Sequence, residues 1–366
     1  MRTSQSQGRA SRRPRWLPRK PVVHCKDDAT NRALIASIPE LNEPFRPTPW
    51  LFNEHLQLAA VTARRKKADR SYCRSEPVIH ADGGYTALVW RGYELPETTP
   101  TIVLLPTIAG TPDSMGELVG DLARNTGFRI VLCLRRGHGE LPLTTPRINI
   151  LGSTDDLREQ IAHIRDRFPR SPLYAVGSSA GSGLLTRYLG EEGDDAPFEA
   201  TFSYCPGYDT DQVFDRAHPF YSRYMARKIV RQFIAPHGEK LDHLSTAEKL
   251  RAAACLSEFH RNAYELAGYS SYDEYTAASN PMRVFESVKK PMMILNAEDD
   301  PVCRIENAHP YLDTIARMPN IVLVTTDRGS HCAHYEGWAP RSWAGKLMGS
   351  YFLAMERMRL ERERSA

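Results

Sequence analysis

The sequence predicts an α/β fold with a mostly parallel central sheet flanked by helices. Three observations predict it. From about residue 100, short unbroken apolar runs alternate with amphipathic helical stretches, the pattern of parallel strands buried on both faces. Between about residues 206 and 288 that alternation stops, and afterwards it resumes. The run Gly177-Ser178-Ser179-Ala180-Gly181 sits between a strand-like and a helix-like segment, which is where a sharp strand-to-helix turn lifts a serine above a sheet.

The elements follow in order. Thr101–Leu105 reads as a short apolar strand, Met115–Asn125 as an amphipathic helix and Ile130–Leu134 as the next strand. Thr154–Phe168 carries Leu157, Ile161 and Ile164 at helical spacing. Leu173–Val176 is the strand feeding the turn, Gly183–Leu189 the helix leaving it, and Ala200–Tyr204 a further strand. The stretch from Pro206 to Val288 is helical, aromatic and charged, and reads as a cap inserted before the next strand. Strands return at Met292–Leu295 and Ile321–Val324, and a final helix puts Trp343, Leu347, Tyr351 and Met355 on one face. The expected organisation is therefore a basic disordered tail over 1–26, a first core part over 27–205, the cap over 206–288 and a second core part over 289–366.

The chain has 366 residues, 41% hydrophobic and 25% charged, with a net charge of +4. These are ordinary values for a globular protein, and the charge singles out no partner. The first 26 residues hold eight Arg or Lys and no acid. They lack an apolar core, so a secretory signal is not expected. A solvated tail is the expectation, with a transit peptide or an electrostatic contact to a lipid surface as alternatives. Aromatics interleaved with the basic residues are missing beyond Trp16, so nucleic-acid binding is not expected. Arg64-Arg65-Lys66-Lys67 reads as a solvated cluster. No window is apolar enough to span a membrane. Seven scattered cysteines without a C-x-x-C pair read as reduced thiols. An intracellular location, cytoplasmic or organellar, is expected.

The chemistry centres on Ser179. Gly177 and Gly181 flank it at the second position on each side, where a larger side chain would strike the adjoining backbone. Ser178 has Val176 and Ala180 in those places and is the poorer nucleophile. A serine needs a base, and the base needs an orienting acid. Just after the strand at Met292–Leu295 come Asp299-Asp300-Pro301, and just after that at Ile321–Val324 come Gly329-Ser330-His331, the order Ser, Asp, His. Asp300 is favoured because the following proline pre-sets the turn that aims it; Asp299 is the alternative. His331 is favoured over His334. The pair His331-x-x-His334 has no third ligand cluster beside it, so no metal is expected, and no cofactor either. Cys332 reads as a packing neighbour. The expected oxyanion hole combines the amides of Ala180 and Ile108, the latter from the loop Pro106–Thr111.

These blocks resemble a branch of the α/β-hydrolase superfamily. It contains plant embryogenesis-associated proteins, yeast medium-chain fatty-acid ethyl ester synthases and mammalian abhydrolase-domain phospholipases. Pro47-Thr48-Pro49-Trp50-Leu51 resembles its N-terminal signature, Asp82-Gly83-Gly84 its first hairpin, and Leu105–Gly110 its oxyanion loop. Arg136-Gly137, Leu143–Arg147 and Gly152–Leu157 resemble a specific internal block; Ser257-Glu258-Phe259 and Gly268–Ser271 resemble its cap. Four departures stand out. The membrane anchor of some members is not seen, Thr107 and Ser182 each replace a glycine, and His260 stands where the cap carries Asp. Thr107 is therefore a candidate substrate-pocket residue.

The resemblance implies a serine carboxylic-ester hydrolase acting on medium-chain acyl or lipid esters, a small-molecule substrate. Acyl transfer to an alcohol at the same site is one alternative. A non-catalytic binding protein on the same fold is the other.

Overall fold

The computed structural model describes residues 18–65 and 72–365. Among the described residues, nine strands form one sheet in the order β1-β9-β8-β7-β6-β4-β5-β3-β2. They are β1 (Val22–Cys25), β2 (Arg74–Ile79), β3 (Tyr85–Arg91), β4 (Thr101–Leu105), β5 (Arg129–Leu134), β6 (Leu173–Ser178), β7 (Phe198–Tyr204), β8 (Met292–Ala297) and β9 (Ile321–Thr326). From β5 through β4, β6, β7 and β8 to β9 every pairing is parallel. The edges β1 and β2–β3 are antiparallel. β4, β5, β6, β8 and β9 are buried along their length, and β7 at every residue but Glu199, which is why they read as largely apolar runs.

The order contains one reversal that positions the site. β4 lies between β5 and β6, so the chain leaves β4 toward one side and β6 toward the other. Loops beyond the carboxyl ends of strands that diverge in this way open a crevice between them. The loop after β4 is residues 106–111, and the turn after β6 holds Ser179.

The helices cover both faces. Pro112–Thr126 packs with the C-terminal helix Trp343–Ser365 on one face, burying Val119, Leu122, Leu347 and Phe352. Thr154–Arg167 and Ala180–Glu192 cover the other face through Leu157, Ile161, Leu185 and Leu189. The first helix begins earlier than its apolar spacing implies. Thr111 Oγ1 accepts from the Ser114 amide at 3.2 Å while Ser114 Oγ accepts from the Thr111 amide at 2.8 Å, a reciprocal cap with Pro112 in the first turn. Gly127 closes that helix at φ 72°, a left-handed position suited to glycine.

Between β7 and β8 the described chain is helical, including Thr210–Arg216, Pro219–Ile229, Leu256–Asn262 and Tyr272–Ser279. Ile229, Phe233, Leu250, Phe259 and Tyr275 form its own core, which also takes in Ile108 and Ala109 from the loop after β4. The insertion is thus packed directly onto the crevice.

The N-terminal tail differs from the sequence expectation at its end. Residues 1–17 lie outside those described, but within 18–26 the chain already belongs to the sheet. Val22–Cys25 pairs with Val322–Thr325 of β9, and Arg19 forms a 2.6 Å ion pair with Asp327. The exposed edge of β9 offers a ladder that the basic composition of the segment does not reveal. The cluster at 64–67 is only partly described; Arg64 there pairs with Glu117 at 2.5 Å.

The internal block read from sequence turns out to tie the structure together. The buried Arg136 donates to Asp82 at 2.6 and 2.9 Å and to Asp156 at 2.7 and 2.8 Å. Its guanidinium lies where a Cβ on Gly84 would sit, at 2.2 Å. Its hydrogen bonds hold the Asp82 carboxyl down at about 2, against the opposing effect of burial. Among the described residues, no helix is long and apolar enough to cross a membrane.

Candidate active site

Ser179 stands at the end of β6 with φ 53° and ψ −117°, a conformation that costs a non-glycine residue about 1–3 kcal/mol. Its neighbours hold it there. Its amide donates to the Tyr204 carbonyl at 2.8 Å, and its carbonyl accepts from the Ser182 amide at 2.9 Å. The elbow glycines are needed for space. A Cβ on Gly177 would lie 2.5 Å from the Gly181 carbonyl oxygen, and one on Gly181 would lie 2.2 Å from that of Leu105. The helix Ala180–Glu192 begins at the next residue.

The structure brings Ser179, His331 and Asp300 into one hydrogen-bonded line. His331 Nε2 lies 2.8 Å from Ser179 Oγ, and His331 Nδ1 lies 2.8 Å from Asp300 Oδ2. A carboxylate can only accept, so Nδ1 carries the proton and Nε2 is left to accept from the serine. Asp300 is buried, and its Oδ1 takes the amides of Val302 and Cys303 at 2.7 and 2.8 Å. The turn after Pro301 therefore aims the carboxylate. Burial lowers the affinity of His331 for a proton, but Asp300 chiefly, with Cys332 and Cys303, outweighs it and raises the imidazole well above its ordinary value.

The neighbouring candidates go elsewhere. Asp299 accepts from the Ser330 amide at 2.7 Å and from Gln57 Nε2 at 3.2 Å. It braces the histidine loop, and burial pushes its carboxyl up to about 6. His334 is buried against Trp343, Phe45 and Tyr204. Its Nε2 lies 3.1 Å from Thr326 Oγ1, and burial holds it down at about 3. His331 and His334 do not converge on a common point.

Two apolar cavities meet at Ser179 and share Ile108, Met225 and Val302. The larger, of about 440 Å³, is lined also by Leu58, Thr107, Tyr221, Ile229 and His331. The other runs under the helical insertion past Ala180, Leu184, Tyr208 and Phe214. His55 and Tyr221 meet across the rim of the larger one, Nδ1 to hydroxyl at 2.6 Å. His260, in the insertion, is buried among Phe214, Tyr272 and Tyr275, 3.5 Å from Asp211.

Sequence reasoning missed two residues behind the loop 106–111. Arg135 is buried and donates to the carbonyl oxygens of Pro106, Thr107 and Leu151. Burial pulls its guanidinium down to about 9, which leaves it cationic at neutral pH. His138 has Nε2 3.0 Å from the Ile108 carbonyl oxygen and is held at about 3, by burial first and by Arg135 second. Their place directly after β5, beside the reversal in strand order, was the available signal.

Among the described residues, two groups of side chains bring atoms that could take an ion within 4.8 Å of one another: Cys205, His331 and Cys332, and Asp300, Cys303 and His331. Both include His331, so an ion at either would draw the imidazole away from its present partners.

Comparison with known proteins gives a family and several relatives. Residues 100–337, more than half of the chain, match the model of the alpha/beta hydrolase fold family. Phospholipase ABHD3 of Mus musculus is 28% identical over 89% of this chain and 81% of its own length. The medium-chain fatty acid ethyl ester synthase/esterase 2 of Saccharomyces cerevisiae is 28% identical over 71% of this chain and 63% of its own. Among solved structures, an esterase from Pyrobaculum calidifontis superposes with a TM-score of 0.52 at 14% identity, covering 83% of this chain and 90% of that one. That likeness is one of fold.

Proposed function

The chain belongs to the alpha/beta hydrolase fold family, and on that premise we propose that it is a serine carboxylic-ester hydrolase acting on medium-chain acyl or lipid esters. The observation that carries this reading is the line Ser179–His331–Asp300, with both contacts at 2.8 Å, opening onto apolar cavities. The relatives support it at the level of class, since two of them are named for ester or phospholipid chemistry.

In this reading His331 Nε2 takes the Ser179 proton as Oγ attacks the acyl carbonyl carbon. The carbonyl π bond opens and places negative charge on oxygen. The amides of Ala180 and Ile108 receive that charge, a contribution of about 3 kcal/mol for each well-aimed donor. The C–O bond to the alcohol then breaks, and the alcohol departs with the proton from His331. Water repeats the sequence on the acyl-enzyme and releases the acid. Asp300 keeps the imidazole in the required tautomer and balances its positive charge. Thr107 lines the larger cavity beside Ser179 and shapes what the acyl or alcohol group meets. The helical insertion acts as the cap over this site.

Acyl transfer to an alcohol uses the same atoms, with the alcohol replacing water in the second half. The yeast relative, whose name couples synthase and esterase, favours keeping it as the second reading. A panel of p-nitrophenyl esters graded by acyl length, run on wild type and Ser179→Ala, tests the first. Equal turnover by the two proteins would sink it. Ethyl ester formed in added ethanol would support the second.

A further inference from the structure

Three thiols surround His331, and the ester chemistry uses none of them. Cys205 directly follows β7, Cys303 lies in the acid loop, and Cys332 follows His331 itself. The sulfurs of Cys205 and Cys332 and a ring nitrogen of His331 lie within 4.8 Å of one another. The Cys332 amide donates to Cys205 Sγ at 3.3 Å, and Ser178 Oγ lies 3.6 Å from Cys332 Sγ. Both cysteines adopt left-handed backbone, φ 50° at Cys205 and 59° at Cys332. Residues bearing a Cβ are uncommon there, so the surrounding fold holds each loop in place.

The two thiols are not equivalent. Cys205 is buried, whereas Cys332 is half-buried and lines a small cavity behind the elbow with Thr107, Met115, Ser178 and Tyr204. The reactive form of cysteine is the thiolate. Burial alone would raise Cys332, but the hydrogen bond from Cys205, the His331 imidazole and the Ser178 hydroxyl outweigh it and bring the thiol down to about 6. Burial raises Cys205 well above its ordinary value. Cys332 is therefore the more acidic thiol and, through the cavity, the accessible one, with the buried Cys205 behind it.

We propose that Cys332 is an oxidative modification site for small hydroperoxides, with Cys205 as its resolving thiol. The Cys332 sulfur attacks a peroxide oxygen; an S–O bond forms and the O–O bond breaks. Sulfur gives up two electrons, the peroxide is reduced, and the departing oxygen takes a proton to leave as water or an alcohol. Cys205 Sγ then attacks the sulfenic sulfur. An S–S bond forms, the S–O bond breaks, and the hydroxyl leaves as water with the Cys205 proton. The new bond, about 2.0 Å long, draws Cys332 toward the end of β7 and takes the adjoining His331 away from Ser179. The thiol chemistry stands apart from the ester-hydrolase reading; only its consequence for Ser179 rests on that reading.

The test treats the reduced full chain with hydrogen peroxide, quenches it, and maps cysteines by peptide mass spectrometry. The expected product is a Cys205–Cys332 cross-link formed while the exposed Cys73 is still reduced. Labelling of Ser179 by a fluorophosphonate probe is lost in parallel and returns with dithiothreitol. Cys205→Ser replaces the cross-link with a dimedone-trapped sulfenic acid on Cys332. Cys332→Ser and Cys332→Ala, checked for folding by circular dichroism, keep their labelling in peroxide. Oxidation of Cys73 ahead of Cys332, or equal loss of labelling in the Cys332 variants, overturns the proposal. A reduced wild type that takes no probe counts against the ester-hydrolase reading instead, and the cross-link still decides this one.

Discussion

Arg135 donates an Nη2 hydrogen to the Thr107 carbonyl oxygen. A trans peptide points its C=O and N–H in opposite directions, so this grip from behind the loop sets the direction of the Ile108 N–H. His138 Nε2 lies 3.0 Å from the next carbonyl oxygen, that of Ile108. Arg135 is thus a positioning residue for the proposed oxyanion hole. Arg135→Met is expected to lower kcat about 10–100-fold, less than the roughly 10²–10³-fold cost of deleting such a donor outright, with a smaller change in KM. A purely structural role would instead lower the melting temperature and leave kcat per folded molecule intact.

The two adjacent aspartates make opposite predictions. Asp300 meets His331 Nδ1, while Asp299 meets the Ser330 amide. Asp300→Asn leaves the shape but favours the wrong imidazole tautomer, and kcat should fall by about 10³–10⁴-fold. Asp299→Asn keeps an oxygen for the Ser330 amide and gives up only the 3.5 Å ion pair with Arg328, which does not touch His331; its kcat should stay within about tenfold of wild type. Steady-state kinetics on both variants check this, and a reversed ranking would reassign the acid.

The pH profile follows from His331. Asp300, Cys332, Cys303, Cys205 and Ser179 face its ring. As base it works neutral, and its proton affinity is raised above the ordinary 6.5. The acid limb of kcat/KM should therefore have its midpoint above pH 6.5, with activity falling as pH drops through it. Cys332→Ser removes one of the raising influences and should move that midpoint down. For stability the sign is opposite. A raised histidine stabilises the fold fully below the unfolded value, and the benefit is lost as pH rises through the folded one. Activity and urea-unfolding measurements across pH 5–9 read both signs.

Gly181→Ala tests the close approach under the elbow. Its Cβ would lie 2.2 Å from the Leu105 carbonyl oxygen, and backbone cannot swing aside as a side chain can. The expected outcome is a destabilisation of about 2–3 kcal/mol, typical of forced overpacking, together with loss of fluorophosphonate labelling. Ala at Gly183, where the nearest neighbour is a side-chain atom at 3.8 Å, is the matched control and should be nearly neutral.

Much of this was legible in the sequence because parallel strands buried on both faces must be apolar throughout. β4 to β9 showed themselves in that way, their ends within about two residues of those expected, whereas the helix Pro112–Thr126 starts earlier because Thr111 caps it. β1 did not, because Val22–Cys25 is an edge strand whose partner, β9, lies some three hundred residues on. Arg135 and His138 were hidden for another reason. Buried charged or polar residues are uncommon, and nothing in a linear pattern marks an arginine that donates inward to carbonyls.

Local order along the chain was enough for the layered α/β architecture, for the inserted helical segment, and for a serine, an acidic pair and two histidines in that sequence. Composition and spacing act over short range, and those features are short-range ones. Which aspartate reaches an imidazole, which histidine reaches Ser179, and that two strained cysteines meet beside it were decided only when β6, β7, β8 and β9 packed side by side. The sheet brings together the ends of strands far apart in sequence, and hydrogen bonds of 2.8 Å separate neighbours between which the chain itself offers only a preference, for Asp300 over Asp299 and for His331 over His334.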